Sequence, residues 1–289
     1  MNYEITAVIP TLNSAGTIER AIKSIQNQTL KVSETIVVDN GSTDDTINLV
    51  RKLNAQNTRI LICESRGASF ARNLGIAASR TQWIAFLDSD DAWAIDKLKI
   101  QLEYLNSLQG ENKVSLIFSG KSTEGSHVGK SGRLSLFDLM VGNSITTSSV
   151  LVKREALLNS ADQTPFNTNI SFGEDWLLWL KIATIGEIHL VDFGLVEYTK
   201  SPIKKYRWDI IESSFKLILR DYLVFIDMHA TMRNKALVKR TMSHSVYIHL
   251  FKYALQLNQL SDATKYLLLA LSNFSLKWYV TKAAKIRLS

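Results

Sequence analysis

The chain has 289 residues, 46% of them hydrophobic and 21% charged, with 13 glycines and 3 prolines; that excludes a disordered, collagenous or low-complexity protein and leaves room for one large domain with an appendage. Its single cysteine, Cys63, excludes a disulfide framework and a cysteine-rich zinc module. Net charge is +7, but residues 200–289 alone hold 16 Lys and Arg against 5 Asp and Glu, a local surplus of +11 that suits an anionic surface. No apolar run reaches the ~18–20 residues that span a bilayer, and the start Met1-Asn2-Tyr3-Glu4 has no basic, apolar leader. The expected location is cytoplasmic, with the inner face of a membrane as a peripheral site.

Residues 5–9 read as a buried strand. A helix follows, capped by Ser14, with Ile18, Ala21, Ile22 and Ile25 at the spacing of one buried face. Residues 35–38 form the second strand, and residues 46–53 a helix with Ile47, Val50 and Leu53 inward. Residues 59–63 form the third strand; the helix over 68–78 turns Ala71, Leu74 and Ala78 to one side. The fourth strand, 83–87, leads into a helix carrying Ile95, Leu98, Leu102 and Leu105. Repeated βα units of this length predict an α/β fold with a mostly parallel sheet flanked by helices. Residues 114–118 and 148–152 are further strands, with a Gly-, Ser- and Lys-rich loop at 120–132 between them. An apolar helix spans 176–183, and beyond residue 206 the pattern is helical only, at 210–226, 236–257, 262–271 and 276–286. The expected division is 1–205 for the sheet domain and 206–289 for a basic helical region.

Ligands of open α/β sheets gather at the carboxyl ends of the strands. There the chain places Pro10-Thr11-Leu12-Asn13, Asp39-Asn40-Gly41-Ser42-Thr43-Asp44 and Asp88-Ser89-Asp90-Asp91. Three carboxylates in four residues repel one another unless a cation intervenes, and Asp-x-Asp at a strand end suits Mg²⁺ or Mn²⁺, hard ions that share their shell with phosphates. Helix capping by Asp90 or Asp91 accounts for one acid, not three. Asp39 comes too early to cap and can accept a base N–H or a ribose hydroxyl. Arg72 and Asn73 read either as a solvated helix face or, for Arg72, as a phosphate ligand. Glu174-Asp175 reads on its own as a helix start. Gly125-Ser126-His127-Val128-Gly129-Lys130-Ser131 is one residue short of a phosphate-binding P-loop, no Gly-x-Gly-x-x-Gly follows a strand, and the histidines show no metal-binding pair.

Five stretches in order, Thr6 to Asn13, Ile36 to Asp44, Gly67 to Gly75, Phe86 to Trp93 and Gly173 to Trp176, together resemble the family 2 nucleotide-sugar glycosyltransferases of GT-A fold. The resemblance covers about the first 200 residues. It implies that Pro10, Thr11 and Asp39 hold the nucleoside, that Arg72 lies beside the nucleotide, and that Asn13 and Ser89 belong to the nucleotide-binding set. Asp88 would contact the ribose, and Asp90 the Mn²⁺ or Mg²⁺ that bridges the diphosphate. Asp175 would be the general base, with Glu174 orienting the acceptor or the base. The implied reaction is inverting transfer from a nucleoside diphosphate sugar, UDP foremost, to a hydroxyl of a glycan or lipid-linked acceptor in surface polysaccharide synthesis.

The chain departs from the family pattern at three places. Asn40 stands where a second acid is usual, Pro165-Phe166-Asn167-Thr168 only faintly matches the segment ahead of the acidic pair, and Tyr198-Thr199-Lys200-Ser201 offers no histidine. Lys200, Lys204, Lys205 or Arg207 are the substitutes for charge neutralisation. A sugar-nucleotide pyrophosphorylase is the rival enzyme, but residues 10–17 lack its Gly-rich loop. A catalytically inactive scaffold is the rival outside enzymology. A nucleic-acid partner leaves the acids unexplained and is not expected. The basic helices, with Phe251, Tyr253, Leu267, Leu268, Trp278 and Tyr279, are expected to meet an anionic membrane or a second copy of the chain.

Overall fold

The computed structural model describes residues 3–108, 113–121, 131–160, 164–199, 206–229 and 235–273. The expected helix at 276–286, Trp278, Tyr279, most of the 120–132 loop with its P-loop-like stretch, and Lys200, Lys204 and Lys205 all lie outside them. The chain forms two compact units. The first holds residues 1–134, 144–168 and 185–201; the second holds 135–143, 169–184 and 202–289.

The first unit is built on one sheet. β1 (Ile5–Thr11), β2 (Glu34–Asp39), β3 (Thr58–Ile62) and β4 (Trp83–Phe86) run parallel in the order β3-β2-β1-β4. Every residue of β1 is buried, which explains its unbroken apolar run: a central parallel strand is covered on both faces. The connecting helices are α1 (Ile18–Gln26), α2 (Thr46–Leu53) and α3 (Ala68–Ala78). The α1 face foreseen from the spacing, Ile18, Ala21, Ile22 and Ile25, is buried. Ser14 does not cap α1, however. Its carbonyl receives the Thr17 and Ile18 N–H groups, while its hydroxyl turns to Ser89 at 2.7 Å.

Beyond β4 the sheet becomes mixed. β5 (Ala92–Trp93), β6 (Val114–Lys121), β7 (Gly132–Leu134), β8 (Leu151–Lys153) and β9 (Glu187–Glu197) extend it as β4-β8-β6-β9-β5, with β7 also on β9. β8 is antiparallel to both neighbours, and β6 and β9 are parallel. Residues 92–95 therefore do not open a helix. They form β5 against Val196 and Glu197, Ile95 is exposed, and α4 (Lys97–Ser107) starts at Lys97. Leu98, Leu102 and Leu105 of α4 are buried as expected. α5 (Leu136–Val141) and α6 (Arg154–Asn159) bracket the short β8.

The second unit is helical. It contains α5, α7 (Glu174–Ile185), α8 (Trp208–His229), α9 (Lys235–Gln256) and α10 (Leu260–Ser272). α8 buries Ile211, Ser214, Phe215, Ile218, Tyr222, Phe225 and Ile226, a 3.6-residue stripe. Phe172, Trp176, Phe215, His249 and Tyr253 form its aromatic centre, with Phe215 stacked on His249 at 5.8 Å. The buried Tyr222 hydroxyl is partnered by Thr184 at 2.9 Å.

α3 lies close on β1 because Gly75 faces Val8. A Cβ at Gly75 would stand 2.4 Å from Val8 Cγ1, and a buried β-branched neighbour has no other rotamer to take. Gly75→Ala is therefore expected to destabilise the first unit by about 1–3 kcal/mol, despite the better helix propensity of alanine, read as a lower urea midpoint. A midpoint at or above that of the native chain contradicts the close α3–β1 packing.

Candidate active site

Pro10 and Thr11 end β1, in register with Val38 and Asp39 of β2. The proline is tolerated in a central strand because the β1–β4 ladder stops at Val8 opposite Phe86, so its missing N–H faces no partner strand. The Thr11 hydroxyl is buried and makes no hydrogen bond among the described residues. Asp39 is 5% exposed and its carboxylate accepts the Ser42 N–H at 3.1 Å. Asn13 adopts φ +49°, a left-handed conformation that asparagine tolerates. Its side-chain oxygen accepts the Thr43 N–H at 2.8 Å, and its own N–H donates to Ser42 Oγ at 2.9 Å. The loops after β1 and β2 are thus tied together.

Asn40 is buried and binds the segment before α3 from both sides of its amide. Nδ2 donates to the Ser65 carbonyl and Oδ1 accepts the Gly67 N–H, each at 2.5 Å. A carboxylate could accept the second bond but could not donate the first, a physical reason for the amide here. α3 then brings in Arg72. This residue is no solvated face: it is 5% exposed, donates to Asp88 Oδ1 at 2.8 Å and lies 5.3 Å over the Phe166 ring. Asn73 is not solvated either, since it clasps the Phe166 main chain at 2.7 and 2.9 Å.

The turn after β4 separates its three acids by environment. Asp88 is paired with Arg72, and its N–H donates to Ser148 Oγ at 3.0 Å. Ser89 shares a hydroxyl contact with Ser14. Asp90 is held through its carbonyl, which accepts Arg20 at 2.5 Å and Thr199 Oγ1 at 2.7 Å. Asp91 is 1% exposed. Burial pushes its carboxyl up to about 6, the charges of Asp88 and Asp90 add to that, and bonds from Ser148 and Thr199 oppose it. Neither Asp90 nor Asp91 caps α4.

Among the described residues no three Asp, Glu, His or Cys side chains converge into a metal cage. A divalent ion that completes its shell with substrate phosphates asks only one or two protein carboxylates. The half-buried Asp90 carboxylate, beside Asp88 on a turn held from behind, fits that demand.

Glu174 and Asp175 open α7 in the second unit. Gly173 before them has φ +79°, and a Cβ there would lie 3.2 Å from Ile218. Asp175 Oδ1 accepts the Trp176 N–H at 2.7 Å and Asn143 Nδ2 at 3.1 Å. Arg207 is engaged by Asp209 at 2.9–3.0 Å. Sequence reasoning missed Arg20, Asn143 and Ser148, and it gave Thr199 no role. Their partners lie 32 to 109 residues away, so no local pattern reveals them.

Residues 6–125 match the family model described as Glycosyl transferase family 2. The match lies within the part of the chain whose motifs resemble glycosyltransferase family 2, and it supports that resemblance. The chain is 29% identical over 235 residues to the Escherichia coli UDP-Glc:alpha-D-GlcNAc-diphosphoundecaprenol beta-1,3-glucosyltransferase WfgD, spanning 78% of this chain and 87% of WfgD. It is also 33% identical over 203 residues to an uncharacterized glycosyltransferase of Rickettsia conorii, covering 65% of this chain but only 32% of that protein. Two solved structures share the fold. S. aureus TarS 1-349 in complex with UDP-GlcNAc aligns at TM-score 0.72 and 18% identity over 91% of this chain and 79% of that one. The Pyrobaculum calidifontis mannosyltransferase PcManGT, in complex with GDP-Man and Mn²⁺, aligns at 0.59 and 18% over 100% and 81%. The sheet is the GT-A arrangement expected from the sequence.

The Asp91 carboxyl gives a signed pH dependence. Its folded-state value lies above the unfolded one of 3.8, so its favourable contribution is fully present below about 3.8 and lost as pH rises through about 6. The stability of Asp91→Asn relative to the native chain should therefore rise between those values and level off above pH 7, as read by urea unfolding across pH. A difference that stays flat from pH 4 to 7 contradicts the burial-raised carboxyl.

Proposed function

We propose that this family 2 glycosyltransferase moves a sugar, with inversion, from a nucleoside diphosphate donor to a hydroxyl of a glycan or lipid-linked acceptor in surface polysaccharide synthesis. UDP is the preferred nucleotide, supported by the UDP sugars named for WfgD and TarS and by a carboxylate, Asp39, suited to a uracil N–H. The observation that carries the reading is the buried Thr11 hydroxyl. It has no hydrogen-bond partner among the described residues and sits opposite Asp39 at the carboxyl edge of the sheet, where open α/β folds bind ligands. A buried polar atom left unsatisfied costs ~1–3 kcal/mol, and a bound nucleoside removes that cost.

In this mechanism Pro10, Thr11 and Asp39 hold the nucleoside, Asp88 the ribose, and Asn13 and Ser89 add contacts to the nucleotide, with Arg72 orienting Asp88 through their ion pair. Asp90 would hold Mn²⁺ or Mg²⁺, which would supply Lewis-acid stabilisation of the departing diphosphate. Asp175 takes the proton of the acceptor hydroxyl as that oxygen attacks C1, and Glu174 orients the acceptor. A single displacement needs no carboxylate nucleophile. The C-terminal helices serve as a peripheral membrane face towards a lipid-linked acceptor, supported by the +11 surplus of residues 200–289 and by exposed Leu260, Leu267, Leu268 and Leu271 on α10. Among the described residues no helix is long and apolar enough to cross a membrane.

Asp90→Ala should lose Mn²⁺-dependent nucleotide binding and turnover while still folding, because removing one acid from the turn relieves repulsion. Nucleotide affinity that EDTA leaves untouched contradicts the metal role. Asp175→Asn should keep donor affinity and lose at least about 10²-fold in kcat, the lower end of general-base contributions. A dead Glu174→Gln beside an active Asp175→Asn reverses the two roles. Sedimentation with phosphatidylglycerol vesicles at low salt, weakening as salt screens the basic residues, tests the membrane face; dimerisation without vesicle binding would make the helices an assembly element.

A further inference from the structure

Asp91 is too buried, at 1% exposure, to meet a ligand as Asp88 or Asp90 can. Both of its carboxylate oxygens are nevertheless used. Oδ2 accepts the Ser148 hydroxyl at 2.5 Å, and Oδ1 accepts the Thr199 main-chain N–H at 2.7 Å. Each partner returns to the same turn. Ser148 Oγ, its proton given to Asp91, accepts the Asp88 N–H at 3.0 Å, and Thr199 Oγ1 donates to the Asp90 carbonyl at 2.7 Å. The Asp91 N–H closes the turn on the Asp88 carbonyl at 3.0 Å. Two hydrogen-bonded loops therefore share one carboxylate, one running through Ser148 to Asp88 and the other through Thr199 to Asp90.

Neither loop is needed to end β4 or to start α4, which begins at Lys97. A buried charge is costly where no cation touches it, and an apolar side chain would fill the space at less cost. An apolar group could not, however, hold residues 88–91 against residues 148 and 199 at once. We propose that Asp91 is a positioning residue for sugar transfer: through Ser148 and Thr199 it fixes the turn that presents Asp88 and Asp90 to the donor's ribose, its diphosphate and their divalent cation. This rests on the function proposed above.

The test compares Asp91→Ala, Asp91→Asn, Ser148→Ala and Asp90→Ala with the native chain, all full-length. Each is titrated calorimetrically with UDP, dTDP and GDP in the presence of Mn²⁺ and melted without nucleotide. Asp91→Ala should still melt cooperatively yet bind nucleotide at least about tenfold more weakly, 1.4 kcal/mol, and need more Mn²⁺ for half-maximal donor hydrolysis. Asp91→Asn should recover most of the affinity, because its amide oxygen can take the Thr199 N–H and its amide nitrogen can donate to Ser148 Oγ. Should Asp91→Ala fail to fold, Ser148→Ala removes one loop only and should show a smaller loss of the same kind. Native-like affinity in the folded Asp91→Ala or in Ser148→Ala, or an Asp91→Asn as weak as Asp91→Ala, overturns the positioning role while leaving the function standing. A native chain that binds none of the three nucleotides overturns the function, and the positioning role with it.

Discussion

A guanidinium cannot shed its proton inside a protein, so burying Arg72 obliges the fold to bring a carboxylate to it. That carboxylate is Asp88, at 2.8 Å. The pair joins α3 to the turn after β4, and the rest of the site depends on the join. Asn40 fixes where α3 begins, so it sets how far Arg72 reaches. Asn73, one position on, holds the Phe166 main chain, and the Phe166 ring lies under the guanidinium and edge-on to Phe86 of β4 at 5.5 Å. Removing the Asp88 carboxylate would leave the Arg72 guanidinium buried without this counter-ion, the costlier way to break such a pair.

The same logic explains how three acids coexist in four residues. Asp88 is neutralised by Arg72, Asp90 is held by its main chain with its carboxylate half-buried, and Asp91 is buried behind them. The shell under this turn is polar but economical in charge. Lys97 is fully buried, packs over the Trp93 ring at 4.4 Å and donates to Gln101 at 3.0 Å; burial lowers it to about 7. Trp93 Nε1 and Gln101 Nε2 then satisfy the Ser148 and Ser149 carbonyls at 2.8 and 2.9 Å. Ser148 thus receives the turn through its side chain and the core through its carbonyl.

The parallel half of the sheet was legible because each element repeats its period locally. A run such as residues 5–9 or the 18, 21, 22, 25 spacing needs no distant partner to be recognised. The mixed half was less legible. β5 is two residues long and exists only because Val196 and Glu197 pair with it, so its sequence read as a helix start. Ser14 failed as a cap because Ser89, distant in sequence, competes for its hydroxyl. At the site the acids stood out by clustering, whereas Ser148 and Arg20 are an ordinary serine and an ordinary helix arginine until the fold closes. Arg72 was half legible: its type suggested phosphate, and only burial revealed an ion pair.

Residues 206–289 read from the sequence as an appendage, yet the unit they build includes α7 and its acids. Asn143 donates to Asp175 from the residue next to Gly142, and the segment just before it is fixed twice. Trp176 Nε1 donates to the Leu139 carbonyl at 2.8 Å, and Ser245 of α9 donates to the Met140 carbonyl. His249, one turn further along α9, stacks on Phe215 and comes within 3.5 Å of where a Cβ on Gly142 would sit. A general base must be held to a fraction of an ångström, and loops alone do so poorly. Here the helix carrying Asp175 and the loop that orients it are packed on α8 and α9. On the proposed function, the helical unit therefore holds the acid that would act as general base, and is more than an appendage to the sheet.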